Sequence, residues 1–130
     1  MQLRSVALPD ASLDVVTWFQ GPHELWYKPE GGPEGLGDPD NSFAGIARGL
    51  KPGRRFIVID HVAPAGSPPA SCGDSHRIDP AHIYGMASEA GFMPEGGSAL
   101  LPNPSDAGLK SADPEIRGKT DQVLVAFSKP

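Results

Sequence analysis

The sequence predicts an α/β fold on a largely parallel sheet, and three observations carry that reading. Two runs, Leu13 to Phe19 and Phe56 to Val62, are nearly continuous in apolar or β-branched residues, as in strands covered on both faces. Helical spacing with capping residues follows each of them. Gly49-Leu50-Lys51-Pro52-Gly53-Arg54-Arg55 joins a helix end to a strand start through a tight turn, the order expected where helices and strands alternate around a sheet.

The elements follow in order. Leu8-Pro9-Asp10 reads as a turn before the first strand, Leu13 to Phe19. Gln20 to Asp40 is a long loop dense in glycine and proline, including Gly31-Gly32-Pro33 and Gly35-Leu36-Gly37-Asp38-Pro39. A helix starts at Asp40 or Asn41, either of which can cap it, and places Phe43, Ile46, Ala47 and Leu50 on one face. Lys51 complements the helix dipole, and Pro52-Gly53 ends the helix. Phe56 to Val62 is the second strand and Ala63 to Ser75 a second loop. Asp79 caps the next helix with Pro80 in its first position, and Gly91 closes it after Ile83, Met86, Ala87 and Ala90. Phe92 to Leu101 reads as a strand kinked at Gly96-Gly97, and Gln122 to Phe127 as the final strand.

Composition narrows the function. A chain of 130 residues suits one domain with one core. The 16 glycines and 15 prolines put much of it into connections, where functional residues gather. The formal net charge of −5 argues against a nucleic-acid surface and favours a small molecule or a protein as partner. The single Cys72 allows no internal disulfide, and no apolar run reaches membrane-spanning length or resembles a leader, so a cytoplasmic setting is expected.

Ligands of α/β sheets sit beyond the carboxyl ends of the parallel strands. His23 and Glu24 follow the first strand and Asp60 and His61 end the second, so these four converge on one mouth in a functional reading and merely face water in a structural one. His23 or His61 then serves as a base, with a neighbouring carboxylate such as Glu24 orienting the ring. His76 before the capped helix is placed to line a pocket. Arg77 either clamps an anionic substrate group or pairs with Asp74 or Asp79, while Asp79 reads as a cap. Trp26 and Tyr27 either anchor their loop or cover an apolar substrate. Arg117-Gly118-Lys119-Thr120-Asp121 is not a phosphate loop, because no helix follows it; it reads as a turn in which Arg117 can pair with Asp121. Cys72, His76 and His82 match no zinc spacing, so no metal is expected. A hydrolase has no Gly-x-Ser-x-Gly elbow to rest on.

Several of these motifs together resemble the C-terminal half of class I S-adenosylmethionine-dependent methyltransferases. They are Leu8-Pro9 before Leu13-Asp14-Val15-Val16, the helix end Leu50-Lys51-Pro52-Gly53, the strand end Asp60-His61, and Glu89-Ala90-Gly91-Phe92. His23-Glu24-Leu25-Trp26-Tyr27, Ile59-Asp60-His61, His76-Arg77-Ile78-Asp79-Pro80 and Asp113 to Asp121 are similar to a bacterial group of predicted methyltransferases. The resemblance implies a partial Rossmann-like sheet, strands four to seven of seven with the last antiparallel, carrying two main helices.

It also implies methyl transfer from S-adenosylmethionine to a small-molecule acceptor, with His23, Glu24 and His61 catalytic. Trp26, Tyr27, His76 and Arg77 would bind substrate, and Trp18, Phe19 and Gln20 the cofactor. The family's glycine-rich turn and ribose-binding acid lie upstream of the elements present here, and the adenine-contacting position reads Arg4-Ser5-Val6-Ala7. The expectation is therefore a methyltransferase shortened by a missing N-terminal segment or by gene truncation and inactive alone, pairing as a homodimer or with a separate cofactor-binding half, or else an interaction module that dimerises through its exposed first strand.

Overall fold

A computed structural model describes residues 8–28, 30, 37–98, 100–106, 108 and 110–130. The segments Arg4 to Ala7 and Gly31 to Leu36 lie outside the described residues. Four strands, β1 (Leu13–Phe19), β2 (Leu50–His61), β3 (Met93–Gly97) and β4 (Gln122–Ser128), form one sheet in the order β1-β2-β4-β3. β1 runs parallel to β2, and β4 lies antiparallel between β2 and β3. Helices α1 (Pro39–Gly49), α2 (Cys72–Ser75) and α3 (Pro80–Glu89) complete the α/β arrangement, with a short 3-10 helix at Pro22–Trp26.

Alternation along the strands decides where the core lies. Val16, Phe56 and Phe127 fall in register across β1, β2 and β4, as do Trp18, Val58 and Val125. This face meets both long helices: Phe43 of α1 lies 5.8 Å from Trp18 and 5.6 Å from Phe56, and Tyr84 of α3 lies 5.6 Å from Phe127. Phe43, Phe56, Val58, Ile83 and Ala87 are fully buried, each large apolar side chain contributing about 1.5–3 kcal/mol.

The opposite face carries Thr17, Phe19, Ile57, Ile59, Leu124 and Ala126, all partly or largely exposed. Val15 and Phe19 are 53% and 54% exposed, which corrects the expectation of a first strand covered on both faces. Both long helices pack on the other side, and an apolar run does not by itself tell one-sided from two-sided burial.

Local chemistry sets the boundaries, with some departures from expectation. α1 is capped by Asp38, not Asp40 or Asn41: its Oδ1 accepts the Asn41 amide at 3.1 Å, and Pro39 takes the first helical position. Leu50 and Lys51 already belong to β2, so Lys51 reaches Asp14 on β1 at 3.1 Å instead of facing the helix dipole. Asp79 caps α3 as expected, accepting the Ala81 amide at 3.0 Å, and a second oxygen takes the Gly66 amide at 2.8 Å. Gly91 (φ 91°) turns the chain into β3, which ends at Gly97, short of the expected Leu101, and whose pairing register with β4 shifts between Pro94 and Gly96.

Candidate functional site

The register places Phe19 beside Ile59, so Asp60 and His61 stand just past the carboxyl end of β1. The chain leaving β1 curls into the Pro22–Trp26 turn and brings His23 back over β2. Asp60, fully buried, accepts the His23 amide at 2.9 Å and the His61 amide at 2.8 Å, and its Oδ1 lies 2.5 Å from His23 Nδ1. The other ring nitrogen of His23 lies 3.0 Å from Glu24 Oε1, and the same oxygen lies 3.0 Å from His76 Nδ1. The His23 ring sits 5.7 Å from that of His61 and 5.6 Å from that of His76. The expected convergence of His23, Glu24, Asp60 and His61 is therefore present, and His76 joins it.

The histidines differ electrostatically. Burial alone would lower the His23 pKa, but Asp60 and then Glu24, one on each ring nitrogen, overcome it and raise the pKa above its ordinary value. At 3% exposure, His23 organises the cluster from within. His61 is only half-buried, and its pKa is lowered, first by burial and further by the nearby His23, Arg77 and His76 against the pull of Asp60. Its Nδ1 shares a 2.6 Å hydrogen bond with the buried Thr120 hydroxyl.

Tyr27 packs on the His76 ring at 5.3 Å, and Trp26 and Tyr27 line a cavity of about 570 Å³ together with Leu25, Gly37, Ala70 and Gly73. Gly73 lets α2 close on this wall. A Cβ there would stand 2.3 Å from the Trp26 carbonyl oxygen and 2.6 Å from Tyr27 Cα. Gly73→Ala is expected to cost about 1–3 kcal/mol and to displace the Trp26–Tyr27 backbone. Urea unfolding and near-UV circular dichroism read both, and a variant unchanged in both would show that the wall yields freely.

Two expectations need revision. Arg77 pairs with neither Asp74 nor Asp79; its guanidinium, 1% exposed, meets Asp106 through two nitrogens at 2.6 and 2.9 Å and donates to the Val62 carbonyl at 2.9 Å. A guanidinium so enclosed and doubly paired supports the loop that carries Asp106. Asp121 does not serve Arg117: its Oδ1 accepts the Asn103 amide at 2.8 Å.

At the tip of β1, Trp18 and Phe19 point to opposite faces. Trp18 fills the space over Gly21, where a Cβ would lie 1.9 Å from its Nε1, and Phe19 and Gln20 are exposed. Phe19 and Gln20 are thus left at the surface beyond the strand end, whereas Trp18 is turned onto Phe43.

Cys72, His76 and His82 are not drawn together as ligands. His82 Nε2 lies 2.7 Å from the Ser67 carbonyl oxygen, and burial, with the charge of Asp60, pushes the Cys72 thiol up to about 12. Sequence reasoning missed Thr120 and Asp106 as partners, because their contacts span 59 and 29 residues of chain and leave no local signal.

The strand order with its antiparallel insertion is that of part of a class I, S-adenosylmethionine-dependent methyltransferase fold, and solved structures agree. An Aquifex aeolicus SAM-dependent methyltransferase superposes with a TM-score of 0.59 at 14% identity, over 100% of this chain and 53% of its own. A Mesorhizobium loti S-adenosylmethionine-dependent methyltransferase gives 0.59 at 14% identity, over 98% and 67%. The Streptomyces coelicolor geranyl diphosphate C-methyltransferase, solved with Mg2+, geranyl diphosphate and S-adenosyl-L-homocysteine, gives 0.58 at 15% identity, over 95% and 49%. The chain thus spans about half the length of several of the solved structures it matches. No protein-family model matches it, and no curated protein is similar to it in sequence. Among the described residues, no helix is long and apolar enough to cross a membrane.

Proposed function

We propose that this chain is the acceptor-side, C-terminal half of an S-adenosylmethionine-dependent methyltransferase acting on a small molecule. The observation that carries the reading is the gathering of His23, Glu24, His61 and His76 at the carboxyl ends of the two parallel strands of a partial methyltransferase sheet. S-adenosylmethionine would supply the electrophilic methyl group when bound. The chain's own residues hold the acceptor and take its proton. His61, whose lowered pKa favours the neutral ring, is held at Nδ1 by the Thr120 hydroxyl and takes the acceptor's proton on Nε2. Trp26 and Tyr27 line the neighbouring cavity, which shares no lining residue with the histidine cluster, and His76, packed on Tyr27, stands between the two. The remaining cofactor contacts come from residues beyond these elements, whether in further chain, in a second copy or in a separate cofactor-binding half, in a cytoplasmic setting.

A second reading, an interaction module, rests on Val15 and Phe19, exposed on a strand that pairs only with β2 among the described residues. Calorimetric titration of the chain with S-adenosylhomocysteine separates the two. Saturable one-site binding supports the methyltransferase, and His61→Gln in the competent assembly should then lower kcat by about 10²–10⁴-fold without changing that affinity. Absence of heat at several temperatures, with light scattering showing a dimer, favours the module. Full turnover by His61→Gln would remove the base assignment.

A further inference from the structure

We propose that His23, Glu24 and His76 form a binding site for one divalent transition-metal ion of the zinc class, leaving a coordination position open for water or a ligand oxygen. The inference stands on the geometry of these side chains and does not depend on methyl transfer.

One ligand atom from each of the three residues lies within 4.8 Å of the other two, and Glu24 Oε1 is 3.0 Å from a nitrogen of each histidine. A tetrahedral ion with nitrogen and oxygen ligands at about 2.0–2.1 Å separates neighbouring ligand atoms by about 3.3 Å. The two histidine–glutamate edges therefore need to open by only a few tenths of an ångström, while the histidine–histidine edge, within 4.8 Å, closes toward the same separation. Two imidazoles and one carboxylate are the donor set of open, three-ligand zinc sites, and imidazole favours zinc, cobalt and nickel over magnesium or calcium.

The surroundings supply what a preformed site needs. The buried Asp60 carboxylate engages His23 Nδ1 and leaves Nε2 turned toward Glu24, the outer-carboxylate arrangement that orients a ligating imidazole. Tyr27 packs on the ring of His76, whose backbone sits in the left-handed region at φ 53°, so its direction is set before any ion arrives. Close packing at Gly73 holds the segment carrying His76 against the one carrying His23 and Glu24. His23 is buried, whereas the Glu24 and His76 side chains are 29% and 30% exposed, which gives an ion a way in from solvent.

The test is calorimetric titration of zinc into the metal-stripped 130-residue chain, with cobalt(II) as the spectroscopic probe. One ion per chain is expected, with the visible cobalt absorption of a four-coordinate site. Glu24→Gln and His76→Asn should each weaken zinc binding by on the order of 100-fold, and Asp60→Asn by about 10–100-fold. Asparagine tolerates the left-handed backbone of position 76, and circular dichroism on each variant confirms that the fold is kept. Failure of zinc, cobalt and nickel to bind overturns the proposal. So does affinity unchanged in folded Glu24→Gln and His76→Asn, which would place the ion elsewhere, or tighter binding of magnesium than of zinc.

Discussion

Asp60→Ala is expected to lower the unfolding free energy by about 3–5 kcal/mol, read as a drop in the urea midpoint. Asp60 is fully buried and serves three donors: two backbone amides, of His23 and His61, and the His23 ring. Alanine leaves all three without an acceptor where water scarcely reaches, since His23 is only 3% exposed. Each unsatisfied neutral group costs about 1–3 kcal/mol, and the imidazole also loses the charge that raises its pKa. Asp60→Asn keeps the shape and one acceptor oxygen and should fall between alanine and the native protein. A loss below about 1 kcal/mol for Asp60→Ala would mean that solvent satisfies the cluster and that Asp60 does not organise it.

Arg77→Ala should cost a similar amount, about 3–5 kcal/mol, because it strands Asp106, whose side chain is 2% exposed. The effect carries a pH signature. Burial alone would raise the Asp106 pKa; the Arg77 guanidinium, followed by the amides of Asp121 and Gly108, reverses this and holds it below its ordinary value. A carboxyl depressed in the folded state adds stability that is fully present above its unfolded pKa of about 3.9 and is lost as pH falls through the folded value. The stability difference between the native chain and Arg77→Ala should therefore shrink as pH drops from 5 toward about 2. Urea titrations across that range measure it, and a difference that stays constant or grows would show that Arg77 supports the fold without depressing Asp106.

Much of this fold was legible because its determinants are local. The β-branched runs around Val16 and Val58, the Asp79-Pro80 start, and the helical spacing of Ile83 and Ala87 each specify an element within a few residues. The Pro22–Trp26 turn was hidden in a glycine- and proline-rich loop, since five residues of 3-10 helix have no periodicity to display. Its consequence, the swing of His23 back over Asp60, was hidden with it.

The sequence by itself determined the order of the elements, the inward-facing residues of the helices, and the presence of His23, Glu24, Asp60 and His61 at strand ends, because backbone preference and amphipathic period act over short stretches. Only the tertiary structure decided which groups became partners. It closed Asp106 on Arg77, set Thr120 on His61, brought His76 to Glu24 across 52 residues of chain, and left one face of the sheet bearing Phe19 and Ile59 open. Those outcomes follow from packing: burying a charged or polar side chain is tolerated only where another segment supplies its complement, and the position of that segment is a property of the whole fold.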